Sequence, residues 1–176
     1  MKVNNSKTKK KSRGYILIEA TFSIFVVGLT LIAFIQVMSK MFVFEFNKRD
    51  AIIASNLAQE GVEIIRNIRD NNWKSGHDAF YANPFLANGT YRVAYNNAGV
   101  ISGNLTMKLR RHKINGFYSY DGGANNVDTK FSRTVQIEVN GDSRIIISTV
   151  TWRPSGSSSA VTTVVEDDLY AWGNPE

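Results

Sequence analysis

From Ala20 to Ser39 the chain runs for twenty residues without a charge, matching the roughly 20 residues a helix needs to cross the hydrocarbon core of a bilayer. Widening the window to Tyr15–Phe46 adds only Glu19, Lys40 and Glu45 as charges. As a helix rising about 1.5 Å per residue, that window spans roughly 48 Å against a core of about 30 Å, so it leaves lipid before it ends. The only prolines are Pro84, Pro154 and Pro175, which excludes a proline kink. Gly28 is a weak point of the helix, costing about 1 kcal/mol against alanine where water-exposed, or else a place for close helix packing. Glu19 is costly near lipid: an acid at the centre of a membrane helix costs roughly 2.5 to 3.5 kcal/mol on insertion scales. It calls for a cation at the same depth.

Beyond this segment the helical pattern changes character. Ile53, Leu57, Gly61, Ile64 and Ile68 recur at helical spacing with Ala54, Ala58, Val62 and Ile65 beside them, which predicts an amphipathic helix over 47–72. Lys48, Arg49, Gln59, Glu63, Arg66 and Arg69 fall on the opposite face. A helix lying on a membrane would carry mainly cations there, whereas Asp50, Glu60, Glu63 and Asp70 are mixed in. The apolar stripe is therefore read as a docking face for a sheet. Asn71 and Asn72 weaken the helix and Trp73 to Gly76 end it.

The rest, 73–176, is read as a globular β domain. A polar-aromatic connector runs from His77 to Gly89, and Thr90–Tyr95 and Leu105–Ile114 are candidate strands. The strongest signal is a hairpin in which Val135, Ile137 and Val139 alternate with polar residues, Asn140-Gly141 turns, and Arg144–Trp152 returns. Val161–Val165 supplies a final strand, ahead of Leu169, Tyr170 and Trp172. A helix followed by a run of strands indicates an α+β fold.

The charge balance divides the chain further. Lys2, Lys7, Lys9, Lys10, Lys11 and Arg13 account for the whole net charge of +6, since the 21 basic residues less these six equal the 15 acidic ones. Such flanking cations hold the N-terminus in the cytoplasm and place the C-terminal domain outside. A strongly basic isoelectric point confined to a leader is no sign of nucleic-acid binding, and none is expected of the domain.

The run Lys9-Lys10-Lys11-Ser12-Arg13-Gly14-Tyr15-Ile16-Leu17-Ile18-Glu19 resembles the cleavage and methylation signal of type IV prepilins and of the pseudopilins of type II secretion systems. The resemblance implies that a membrane-embedded prepilin peptidase removes residues 1–14 between Gly14 and Tyr15 and methylates the new amine. It also implies that 15–46 forms the membrane and filament-core helix, that Glu19 pairs with the terminal amine of a neighbouring pilin or pseudopilin subunit, and that an inner-membrane assembly platform handles the chain. Pairing is physically sound, because it removes two unsolvated charges from lipid. The pilin-like architecture, a long helix packed on a small antiparallel sheet, follows from the same likeness. Tyr15 stands where family members usually carry phenylalanine, keeping the ring and adding a hydroxyl suited to the headgroup level. The irregular connector and the lack of cysteine lean toward a minor subunit. The rival class is an uncleaved single-span membrane protein with an external ligand- or cell-wall-binding sheet.

Catalytic signatures are missing from the sequence. There is no cysteine, so thiolate chemistry, disulfides and cysteine-bound metals are excluded. His77 and His112 lack zinc spacing, no nucleophile elbow surrounds a serine, and Gly122-Gly123 lacks the lysine of a phosphate loop; no enzyme is expected. Asp121, Asn125, Asn126 and Asp128 cluster side-chain oxygens suited to calcium, which some major pseudopilins hold in a loop, although such residues also favour ordinary turns. Arg110-Arg111-His112-Lys113, with Phe117, Tyr118 and Tyr120 nearby for base stacking, is read instead as a solvated edge strand.

Overall fold

The structure is a computed structural model that describes residues 13–76, 80, 87–96 and 104–171. The basic residues of 1–12, His77, Pro84, Trp172 and Pro175 lie outside the described residues. Among the described residues one helix, α1 (Arg13–Lys74), precedes six strands: β1 (Gly89–Tyr91), β2 (Lys108–His112), β3 (Tyr118–Ser119), β4 (Asn126–Asn140), β5 (Ser143–Trp152) and β6 (Val161–Tyr170). The chain divides after Glu45 into two units, Met1–Glu45 and Phe46–Glu176.

In the first unit the apolar side chains of α1 are exposed along its length, from Tyr15 to Phe44. This stretch is long and apolar enough to cross a membrane. Its hydroxyls are satisfied within the helix: Thr21 and Thr30 donate to Ile18 O at 3.0 Å and Val27 O at 2.8 Å, and Ser23 and Ser39 to Glu19 O at 2.7 Å and Ile35 O at 2.9 Å. In a medium without water, polar groups require such internal partners.

In the second unit residues 46–74 of α1 pack on an antiparallel sheet of order β3-β2-β4-β5-β6, with β1 also paired to β4. This is the α+β arrangement expected. The buried line of the helix runs through Ala54, Leu57, Ala58, Gly61, Val62 and Ile65, rotated from the predicted centre, with Ile53, Ile64 and Ile68 on its half-buried flanks. Small residues lie at the closest approach and the isoleucines pack around them. A Cβ on Gly61 would stand 2.4 Å from Ser148 Oγ and 3.2 Å from both Arg133 Cδ and Val135 Cγ2. Arg69, assigned by periodicity to the solvent face, is instead buried, paired with Asp70 at 2.8 Å. The helix stops where expected, at Gly76, whose φ of 76° and bond to Trp73 O at 3.0 Å make the left-handed cap.

Register sets the sheet's faces. Arg133 lies opposite Val150, Val135 opposite Ser148 and Ile137 opposite Ile146, and all six are buried. Several sequence expectations need correction. β4 begins at Asn126, eight residues before Thr134, because pairing to β2 draws the presumed loop into the ladder. β6 continues through Glu166-Asp167-Asp168 to Tyr170, since Asp167 meets Arg66 at 2.6 Å and Leu169 is buried. β1 is shorter than predicted, and Val93 and Ala94 are buried core outside it. The hairpin turn is Gly141-Asp142, because Asn140 still pairs with Ser143. Gly141, at φ 57°, takes the first central position that a two-residue turn reserves for glycine.

Gly28 and Gly61, both in α1, should respond differently to substitution. Gly61→Val is expected to destabilise the detergent-solubilised full chain by about 1 to 3 kcal/mol through overpacking, lowering the thermal midpoint read by near-ultraviolet circular dichroism. Gly28→Ala, with no atom within 4 Å of the added carbon, should leave that midpoint unchanged.

Candidate functional site

Gly14, Tyr15 and Glu19 all lie in α1. Tyr15 and Glu19 are four residues apart and so share one helix face. Both are exposed, Tyr15 at 69%. Among the described residues no side chain forms an ion pair with the Glu19 carboxylate. The helix thus presents one acid, at the head of an apolar surface, to whatever medium or molecule covers it.

The four oxygen-bearing residues read as a calcium loop are not held in one loop. Asn126 and Asp128 belong to β4. Asp128 Oδ1 accepts from Arg110 Nε at 2.6 Å, Asp121 Oδ2 accepts from the Asn96 amide, and Asn126 Nδ2 donates to Asp121 O at 3.1 Å. Asn125 O accepts from Lys113 N at 2.8 Å. Asp121 and Asn126 are thereby brought together, while the Asp128 carboxylate is turned to a guanidinium. Among the described residues no group of three or more His, Cys, Asp or Glu side chains is placed to hold a metal.

The basic run is divided by its strand. Arg110 is occupied by Asp128, Leu109 is buried, and Arg111 is exposed. β2 is not a bare edge, because β3 pairs with it at Arg110↔Ser119 and Arg111↔Tyr118. Tyr120 is buried in the core and cannot present its ring to a base. Phe117 rests against Tyr95, ring centroids 5.1 Å apart.

The residue that periodicity overlooked is Arg133. It is fully buried, the largest such side chain among the described residues. Its Nη1 donates to Leu57 O of α1 at 2.9 Å and its Nη2 to Val93 O at 2.5 Å, with Glu60 Oε2 at 3.5 Å. The Tyr120 hydroxyl donates to Arg133 O at 2.9 Å, and the Arg92 guanidinium lies 5.0 Å from the Tyr120 ring centroid. One planar cation therefore ties the helix, the segment after β1 and the central strand together. The sequence did hold the signal: Arg133 has the same parity as Val135 and Ile137, the inward set of the hairpin. Asp50 and Lys130 add an ion pair between α1 and β4, and Arg66 joins α1 to Asp167 of β6. Hydrogen bonding to Asp167 raises the Arg66 pKa above its ordinary value, against the effect of burial.

Burial pushes the Tyr120 phenol above its ordinary pKa, opposed by the charges of Arg133 and Arg92. The folded chain then keeps this proton to higher pH than the unfolded chain. Stability from the neutral phenol is complete below the unfolded value of about 10 and is lost as pH rises through the folded value.

Comparison with protein-family models, with curated proteins and with solved structures found no match to this chain.

Two measurements check the buried network. Arg133→Lys keeps the charge but cannot span both carbonyls, and should lower stability by about 3 kcal/mol for two charge-assisted bonds, read as denaturation of the full chain. Tyr120→Phe should flatten the loss of thermal midpoint above pH of about 10, and an unchanged slope would exclude the phenol as its source.

Proposed function

We propose that this chain is a structural subunit, of the minor kind, of a type IV pilus or a type II secretion pseudopilus. It is processed between Gly14 and Tyr15 and assembled through its N-terminal helix. The observation that supports this most directly is the order of features on α1. A glycine and an aromatic residue are followed by one acid without an ion pair among the described residues, an exposed apolar stretch and then a stretch packed on an antiparallel sheet. A helix with that surface requires lipid or other apolar helices around it. In the membrane it meets lipid, and in a filament it meets copies of its own kind. The hydrophobic term differs little between the two, so the register of assembly falls to the polar pair. Glu19 supplies the anion and the N-terminal amine of a neighbouring pilin or pseudopilin subunit the cation.

On this reading the N-terminus begins in the cytoplasm, the helix spans the cytoplasmic membrane once, and the β domain lies outside it. Partners are the prepilin peptidase, other pilin or pseudopilin subunits and the assembly platform. No catalysis and no nucleic acid enter the mechanism. Calcium has no part in this proposed assembly, and Asp128 pairs with Arg110.

Gly14→Val should block processing, leaving a chain whose mass, measured after membrane extraction, includes residues 1–14. Glu19→Ala and Glu19→Val should insert and be processed normally but be depleted from filaments. Normal filament content of the Glu19 variants would refute the pairing, and an intact leader on the wild-type chain would favour the uncleaved anchor with an external binding domain.

A further inference from the structure

Lys130 of β4 pairs with Asp50, Arg133 donates to Leu57 O, and Val135 lies against Gly61, so β4 runs beside α1 in the same direction. Its first residues therefore lie at the end of the second unit where the helix enters. Residues 46–49 of the helix precede Asp50 in that unit and rise about 6 Å, whereas residues 126–129 of β4 precede Lys130 and rise about 13 Å. Arg111 pairs with Val127 and His112 with Asn126, which carries the turn between β2 and β3 out to that same end.

The turn makes an apolar and basic tip. Ile114 is 80% exposed and Phe117 55%, the latter resting on the exposed ring of Tyr95. Arg111 and Lys113 are exposed beside them, as are Lys48 and Arg49 on the helix. The loop after β5, with exposed Arg153, reaches this end too, where Ser155 N donates to Asn47 Oδ1 at 3.1 Å. Of the acids nearby, Asp50 is paired with Lys130, Asp128 with Arg110, and Asp121 accepts from the Asn96 amide. The exposed acids Asp142, Glu166 and Asp168 lie toward the opposite end, by the register of β4, β5 and β6.

Exposed apolar side chains among cations suit a bilayer with anionic headgroups, where rings and aliphatic groups enter the interface and the cations meet the headgroup charge. Covalent connection brings such a surface within reach. Phe46 follows Ser39, the end of the uncharged run, by seven positions, about 10 Å of helix. The two charges between them, Lys40 and Glu45, offset each other. A soluble partner must be met by diffusion, whereas a bilayer around residues 20–39 is already beside this end.

We propose that the turn between β2 and β3, through Ile114 and Phe117 with Arg111 and Lys113, seats on an anionic lipid surface while the chain stands in the membrane. The inference rests on the membrane-spanning part of the reading above and on neither processing nor assembly. A seated tip sets the orientation of the β domain before any protein partner is met. It must let go when the chain leaves lipid.

The absence of native cysteine allows one fluorescent label per molecule. The full-length chain is placed singly in lipid nanodiscs whose headgroups carry a nitroxide quencher. A label at Ile114→Cys should be quenched in discs containing phosphatidylglycerol and much less in discs of phosphatidylcholine alone, while a label at Asp142→Cys should be quenched in neither. In about 1 M salt, where the screening length falls to about 3 Å, the difference should vanish. Each cation near an anionic surface favours seating roughly fivefold, so Arg111→Glu with Lys113→Glu should lower the ratio of seated to free tip by about twentyfold or more. Arg49→Glu with Arg153→Glu, on the other two elements of this end, should lower it as well. Discs containing a cationic lipid should restore quenching to the variant reversed at Arg111 and Lys113, a recovery that excludes misfolding as the cause of loss. Equal quenching in anionic and neutral discs, persistence in salt, or equal quenching at Asp142 would each overturn the lipid seat and leave the tip to a protein partner. A label at Leu29→Cys, read with a quencher on the lipid tails, separates the two readings. Quenched at Leu29 but not at Ile114, the chain spans the bilayer and the seat alone fails; unquenched at Leu29, the span fails and the seat with it.

Discussion

The guanidinium of Arg133 is the interaction on which the second unit is organised. Two of the three nitrogens of this fully buried cation find acceptors, and these come from two separate places, Leu57 O on the helix for Nη1 and Val93 O after β1 for Nη2, while Nε is left without a partner. Gly61 makes the geometry possible, since any side chain there would collide with Ser148, Arg133 and Val135. Helix position, strand register and the course of the chain after β1 are therefore one problem with one solution. Arginine suits it because its planar fork reaches two acceptors at fixed angles, which an ammonium on a flexible stem does not.

Around that centre the polar contacts between helix and sheet are spread along α1. Asp50 reaches Lys130 of β4, Glu60 and Leu57 meet Arg133, Arg66 meets Asp167 of β6, and Arg69 reaches Tyr170 O at 3.4 Å. Between them lie two apolar clusters, one containing Leu57, Phe131 and Trp152, the other Ile65, Ile137 and Ile146. The apolar clusters supply most of the free energy of packing. The ionic and carbonyl contacts select which side of the helix is covered. That selection fits a buried line that passes through Ala54, Ala58 and Gly61 beside Leu57, Val62 and Ile65, with Ile53, Ile64 and Ile68 left on its flanks.

Much of this was legible in the sequence, in proportion to how local each signal is. The apolar run of α1, the amphipathic stretch, the hairpin of β4 and β5 and the helix stop near Gly76 depend on residues close together in the chain. What escaped depended on distant partners. Asp128 and Lys130 look like loop residues until Arg110 and Asp50 are placed opposite them. The acids of β6 look like the end of a strand until Arg66 is beside Asp167. Arg69 looks solvated until Tyr170 O comes within reach. Arg133 shares the inward parity of Val135 and Ile137, but its acceptors, Leu57 O and Val93 O, are distant in the chain. The candidate site shows the same division: Tyr15 and Glu19 belong to a local motif whose placement on one helix was readable, whereas in the oxygen cluster at 121–128 Asp128 is drawn to Arg110 by strand pairing that no local pattern encodes.

The distances in sequence between these partners bear on how the chain reaches its native state. Arg133 bonds Leu57 across 76 positions, Lys130 bonds Asp50 across 80, and Arg66 bonds Asp167 across 101. Contacts of such separation form slowly, because the closure entropy of the intervening chain is lost before the contact compensates for it. Synthesis delivers α1 first, and its apolar stripe at Ala54 to Ile65 has no cover until β4, β5 and β6 have followed. Throughout that interval the nascent chain exposes a sticky helix face and unpaired strands, the condition under which folding chains aggregate or require a chaperone. The vulnerable period of this molecule is therefore its birth, and the last strand to be made is the one that ends it.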